Sequence, residues 1–172
     1  RNQSNEAEDL VETNRLIGDC YFLNRDYANA VDFYSAARSR ENELKRNGDL
    51  LLRLISALLR TGLIDDALQL IDEGDFDNNI SSADRWRAEW NVAQALQISG
   101  QTDRALGRVR LLLQDSDTNS VPTVLNLRLL WLESYLSLEA NQLEGLVGRV
   151  MRLLTRLESM PFQSKDGLDI LN

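Results

Sequence analysis

Histidine is absent from this chain of 172 residues, and cysteine occurs once, as Cys20. The usual zinc sites and the Ser-His and Cys-His nucleophiles draw on those side chains, so none can be assembled here. A lone cysteine forms no intrachain disulfide, which leaves cytoplasm and periplasm both open as compartments. Only Pro122 and Pro161 interrupt the chain, and its nine glycines are dispersed without a Walker or Rossmann fingerprint. No apolar run approaches the ~20 residues of a membrane span, and nothing has the build of a signal peptide. A start at Arg1 rather than Met leaves room for a leader or for neighbouring domains. Basic charge is in deficit as well: 19 Lys and Arg against 27 Asp and Glu leave −8. That balance argues against a general affinity for nucleic acid and against attachment to anionic lipid.

What is abundant favours helix. Leu, Ala, Arg, Glu and Gln dominate and β-branched residues are sparse, so the chain reads as all-α. Hydrophobic residues make up 43% and charged ones 27%, the composition of a folded domain rather than a disordered one.

An internal repeat organises the sequence. The segments Leu58 to Leu68 and Leu96 to Leu106 each place Leu four residues before Gly and Ala-Leu five residues after it. A third copy, Tyr21 to Val31, keeps the register with Arg25 in place of the glycine, and Ala30, Ala67 and Ala105 lie 37 and 38 residues apart. The physical sense is a helix, a tight turn and a second helix folded back. Gly62 and Gly100 fall where the backbone turns left-handed. Asp26, Asp65 and Thr102 or Asp103 supply caps or early negative charge for the next helix. The alanine lets the two helices approach closely. Helices are expected at about 8–23, 27–45, 48–61, 65–73, 83–99, 103–115, 122–139 and 143–159. Asn141 followed by Glu144 reads as a capping-box variant opening the last of these.

These spacings resemble the tetratricopeptide repeat family. Gly18, Tyr21, Tyr27, Ala30, Tyr34 and Ala37 stand at its small and aromatic signature positions. Leu51, Leu54, Leu58, Gly62, Ala67 and Ile71 form the second copy, and Val92, Ala93, Leu96, Gly100, Ala105 and Val109 the third. A degenerate fourth runs through Leu129, Leu132, Leu136, Ala140 and Gly145. The spacing exceeds the family's usual repeat length, and the proline that often closes a repeat is missing. The resemblance implies a right-handed α-α superhelix of antiparallel helix pairs, a TPR-like solenoid, over residues 1–160, with a polar tail at 161–172.

It also implies a job: holding a peptide or helix of a partner protein in a concave groove lined by the first helix of each pair. Carrying the family's inward-facing positions over gives Arg15, Asp19 and Phe22, then Leu52, Ser56 and Leu59, then Arg87, Trp90, Gln94 and Gln97. Trp90 is the expected apolar anchor, with packing beside Trp86 against the 74–82 loop as the alternative. The clamp by which some members grip chaperone C-termini is not matched, since Asp19 and Arg53 stand where asparagines are wanted and Asn91 where a basic residue is. A regulatory or sensor domain binding a small ligand or signal peptide is the competing reading, and end-to-end stacking of copies a third.

Other constellations read as structure. Asp65/Asp66 and Asp115/Asp117 are expected at helix starts and in loops, not as acid–base pairs. Asp75-Phe76-Asp77-Asn78-Asn79 lacks the central glycine and closing Glu of a calcium loop. Cys20, beside Tyr21 and Phe22, is expected to be a buried inert thiol. Arg149, Arg152 and Arg156 share one face of the last helix, expected to be solvated. No metal, cofactor or catalytic residue is expected.

Overall fold

The structure, a computed structural model, describes residues 2–41, 48–72, 80–116 and 123–159. Within them the chain forms eight helices: α1 (Asn2–Leu23), α2 (Tyr27–Arg38), α3 (Gly48–Thr61), α4 (Ile64–Asp72), α5 (Ser82–Ile98), α6 (Thr102–Ser116), α7 (Thr123–Glu139) and α8 (Leu146–Glu158). No strand occurs among the described residues. The expected loop at 73–79, residues 117–120 of the loop expected at 115–120, Pro122 and the expected tail at 161–172 lie outside them.

One backbone device recurs four times. Arg25 (φ 62°), Gly62 (φ 83°), Gly100 (φ 78°) and Asn141 (φ 55°) are all left-handed. Around each, two bonds close the end of the preceding helix in the same way. The residue after it donates to the carbonyl five back: Asp26 to Tyr21, Leu63 to Leu58, Gln101 to Leu96, and Gln142 to Ser137. The left-handed residue itself donates three back, to Phe22, Leu59, Gln97 and Leu138. This is the Schellman stop, which satisfies helix carbonyls that would otherwise lack partners. The repeat register read from the glycines therefore extends to positions held by arginine and asparagine.

The first three second-helices begin at once. Ala30, Ala67 and Ala105 donate to the carbonyls of Asp26, Leu63 and Gln101, and all three alanines are fully buried. The Asp26 carboxylate caps α2 by accepting from the Asn29 backbone N–H at 3.3 Å. Asp65, Asp66 and Asp103 instead place negative charge in the first turns of α4 and α6.

The fourth repeat departs from expectation. Asn141 is the stop of α7 rather than a cap of α8, which begins only at Leu146, so the Asn141–Glu144 capping box does not form. Residues 142–144 extend the turn, and left-handed Gly145 (φ 69°) becomes the N-cap of α8, with its carbonyl accepting from Arg149. Gly145 is thus a cap, and the place that Ala30, Ala67 and Ala105 hold in the other repeats falls to Arg149. Two other boundaries differ: α1 starts at Asn2, earlier than expected, and α2 ends at Arg38 instead of running to 45. At the latter the Ser39 hydroxyl bonds the Ala36 carbonyl, while Arg40 and Glu41 tighten to bonds three residues back.

Two compact units divide the chain at Arg1–Val92 and Ala93–Asn172, a boundary falling within α5. In the first, α1 packs on α2, α2 on α3, and α3 on α4. Its core holds Tyr34, Leu50, Leu51, Leu54, Ile55 and Ile71, the α3 members recurring at helical spacing on one face. Gly18 makes room for Tyr34, since a Cβ there would stand 2.6 Å from the ring. In the second unit α7 packs on α6 and α8 on α7, around Leu106, Val109, Leu127, Leu129, Leu132 and Leu136. Full burial of each such side chain contributes ~1.5–3 kcal/mol before entropy is counted.

Candidate functional site

The left-handed residues give a ruler for the first helix of every pair. Ten, six and three residues before them stand Arg15, Asp19 and Phe22; Leu52, Ser56 and Leu59; Trp90, Gln94 and Gln97; and Trp131, Tyr135 and Leu138. Offsets of four and three put each trio on one helix face. None of the twelve side chains is buried, while the residue eight before the stop is buried in Leu54, Val92 and Glu133. The expected groove residues therefore occupy the solvent-accessible face of their helices. Trp131, Tyr135 and Leu138 were not singled out from the sequence because the fourth stop is an asparagine. Asn is the residue that most readily replaces Gly at left-handed positions, and that was the available signal.

In the first unit the site converges on Asp19. Its Oδ1 accepts from the Tyr34 hydroxyl at 2.7 Å and from Arg53 Nη1 at 2.7 Å, and its Oδ2 accepts from Arg15 Nη1 at 2.9 Å. Arg15 also bonds Glu12, and Arg53 bonds Asp49 at 2.8 Å. Three helices are tied by one carboxylate. Burial, then the bond to Asp19, pushes the Tyr34 phenol up to about 12. Bonding to Glu12 raises the Arg15 guanidinium and in turn lowers the Glu12 carboxyl, and bonding to Asp49 raises Arg53. Beside this network lies a hollow of about 360 Å³, lined by Asp19, Phe22, Leu23, Tyr34, Arg53 and Ser56. Arg15 and Arg53 are both committed to carboxylates of the same chain, so they do not stand as a free pair for a partner's terminal carboxylate.

Of the expected residues, Arg15, Asp19, Phe22 and Ser56 thus come together, with Leu23, Tyr34 and Arg53 as additions. Leu52 and Leu59 are half-buried on α3 outside the hollow. Arg87 is exposed and paired with Asp84 at 2.9 Å. Trp86 is buried and belongs to the core, whereas Trp90 is half-buried.

In the second unit the Gln97 side chain donates to Glu139 at 3.2 Å. Tyr135 also bonds Glu139, which raises its phenol, and it stacks on Trp131 with ring centroids 5.5 Å apart and planes 8° from parallel. Both rings are exposed, at 46% for Trp131 and 39% for Tyr135. Two large aromatics left in water on one face are a feature of binding surfaces more than of packing.

Cys20 is exposed, contrary to expectation. Five residues before the stop, its counterparts Ala57 and Leu136 are buried. Both lie on helices that pack on a preceding second helix, α3 on α2 and α7 on α6, and no helix precedes α1 among the described residues. Arg149 is buried and paired with Glu133 at 3.8 Å, so only Arg152 and Arg156 of the expected solvated strip are exposed. Among the described residues no group of His, Cys, Asp and Glu is placed to hold a metal, and no helix is long and apolar enough to cross a membrane.

Comparison of folds gives a match across almost the whole chain. The crystal structure of the nearly identical TPR-like repeats of a Podosopora anserina protein assigned as a kinesin light chain superposes with a TM-score of 0.62. It covers 93% of this chain and 81% of that one at 14% identity. The fold is a TPR-like helical repeat. No protein-family model and no curated protein matches the sequence.

Proposed function

We propose that this TPR-like chain is a protein-interaction module, not an enzyme, which holds a peptide or helix of a partner on the accessible face of its first helices. The observation that carries this reading is the repeated placement of Arg15, Asp19, Phe22, Leu52, Ser56, Leu59, Trp90, Gln94 and Gln97 at three register positions, none of them buried. The hollow beside Asp19 and the exposed Trp131–Tyr135 pair add recessed and aromatic surface of the kind that anchors partners. A chain of net charge −8 favours a partner segment carrying basic groups.

Selection from a random peptide display library tests it. Peptides enriched by the native chain should lose roughly 2 kcal/mol of binding on Trp90→Ala or Trp131→Ala, with helicity unchanged. Peptides that bind all variants equally, or no enrichment at all, would count against the reading. The sensor alternative draws support from the same hollow, whose 360 Å³ falls at the small end of ligand sites. A small molecule that raises the melting point of the native chain but not of Phe22→Ala would favour it.

A further inference from the structure

The exposed residues of α8 fall in the place where a neighbouring helix is seated in the preceding repeat. Counting from the carbonyls that open the two helices, at Gln101 and Gly145, the residues Asp103, Leu106, Arg110 and Leu113 of α6 correspond to Val147, Val150, Leu154 and Leu157 of α8. In α6 this face meets α7 and the turn after it. Asp103 accepts from Gln142 at 3.1 Å, Arg110 pairs with Glu133 at 3.6 Å, and Leu106 is 1% exposed. In α8 the same face is open: Val147 is 77% exposed, Val150 38%, Leu154 45% and Leu157 39%. It is also purely aliphatic, where α6 carries an aspartate and an arginine.

Spacing and charge point to the occupant. The four residues recur at intervals of three, four and three, the seam of a helix that packs side by side with another helix. The series reads the same in either direction about position 152. An antiparallel copy therefore sets Val147 against Leu157 and Val150 against Leu154, so the face is complementary to itself. Arg152 and Arg156 are off this seam, lining a separate hollow with Leu113, Asn126 and Leu130. The charge of the chain is also unevenly divided. Residues 1–92 hold 18 acidic and 11 basic side chains, residues 93–172 hold 9 and 8. Two copies meeting through α8 thus bring nearly neutral halves together, with little net charge on those halves to oppose the contact.

We propose that α8 is a self-association surface through which two copies of this chain dock, their α8 helices antiparallel about a twofold axis. Such a contact is closed and yields a dimer, not a filament.

Light scattering after size exclusion, over a concentration series of the full chain, reads the outcome. The native chain should be dimeric, with protection of α8 amides from hydrogen exchange rising with concentration. Val150→Glu and Leu154→Lys each place an unpaired charge at the seam and should raise the dimer dissociation constant on the order of a hundred-fold. Mixing the two variants should restore a mixed dimer, because the introduced carboxylate then faces the introduced ammonium. A native chain that stays monomeric at the highest concentration overturns the proposal. So do single variants that remain dimeric, and a chain cut after Ser159 that dimerises where the full chain does not, which would make residues 160–172 the cover of α8. If the charged variants lose helicity, the concentration dependence of α8 protection in the native chain decides the matter alone.

Discussion

Glu133 and Arg149 form a buried ion pair, Oε1 to Nε 3.8 Å, at two positions that earlier repeats fill with apolar residues. Glu133 stands eight before its stop, as Leu54 does, and Arg149 stands four after its cap carbonyl, as Ala30, Ala67 and Ala105 do. Arg110 approaches the same carboxylate at 3.6 Å, and Arg149 also donates to the Gln142 carbonyl at 3.0 Å. Arg149 Nε itself makes no hydrogen bond. The pair is therefore costly to desolvate and only partly compensated. Glu133→Ala or Arg149→Ala alone should cost ~3–5 kcal/mol, while Glu133→Leu combined with Arg149→Ala should be neutral or stabilising. Urea midpoints of the three variants check this, and additive losses in the double variant would contradict it.

Tyr34 makes stability depend on alkaline pH. Its phenol is held up to about 12 in the fold, whereas in the unfolded chain it ionises near 10. The folded state keeps a proton that the unfolded state releases, so stability is full below about 10 and declines as pH rises toward about 12. Tyr34→Phe should cost ~1 kcal/mol at neutral pH and flatten that decline. Parallel denaturation of both chains at pH 8 and 11 measures the difference.

Close packing at the helix crossings predicts a graded response to added volume. Gly18→Ala pushes a methyl into the Tyr34 ring, and Ala67→Leu or Ala105→Leu adds bulk where no surface is exposed. Each should cost ~1–3 kcal/mol. The same Ala→Leu change at exposed Ala28 should fall within about 0.5 kcal/mol, which makes it the control.

Arg25 holds a left-handed backbone that the second and third repeats give to glycine. A side chain there costs roughly 1–2 kcal/mol, and glycine loosens the unfolded chain by less than that. Arg25→Gly should therefore raise stability by about 0.5–1 kcal/mol in thermal unfolding.

Two tryptophans one turn apart should behave differently. Trp86→Ala removes a buried indole and should cost ~3–5 kcal/mol, with partner binding lost only through unfolding. Trp90→Ala, at a half-buried position, should leave most of the stability and weaken binding directly. Melting temperature and peptide affinity measured on both variants separate the two roles.

The helical hairpins could be read from the sequence because each is local. A left-handed stop, a cap within four residues and a small alanine five residues on are all encoded in a short stretch, so Gly62, Ala67, Gly100 and Ala105 declare themselves without reference to the rest of the chain. The accessible face of α1 and α3 was legible for the same reason, being a fixed offset from those stops. Tertiary structure alone decided what crosses between helices. That Asp19 gathers Tyr34 and Arg53 from 15 and 34 residues away, or that Cys20 is exposed where Ala57 is covered, depends on which neighbour lies against a face. The same holds for Arg149, whose sequence spacing with Arg152 and Arg156 suggests a solvated stripe. Its burial follows from its place four residues after the cap carbonyl of α8, the position that the buried Ala30, Ala67 and Ala105 hold in the other repeats, and there the guanidinium meets Glu133 instead of water.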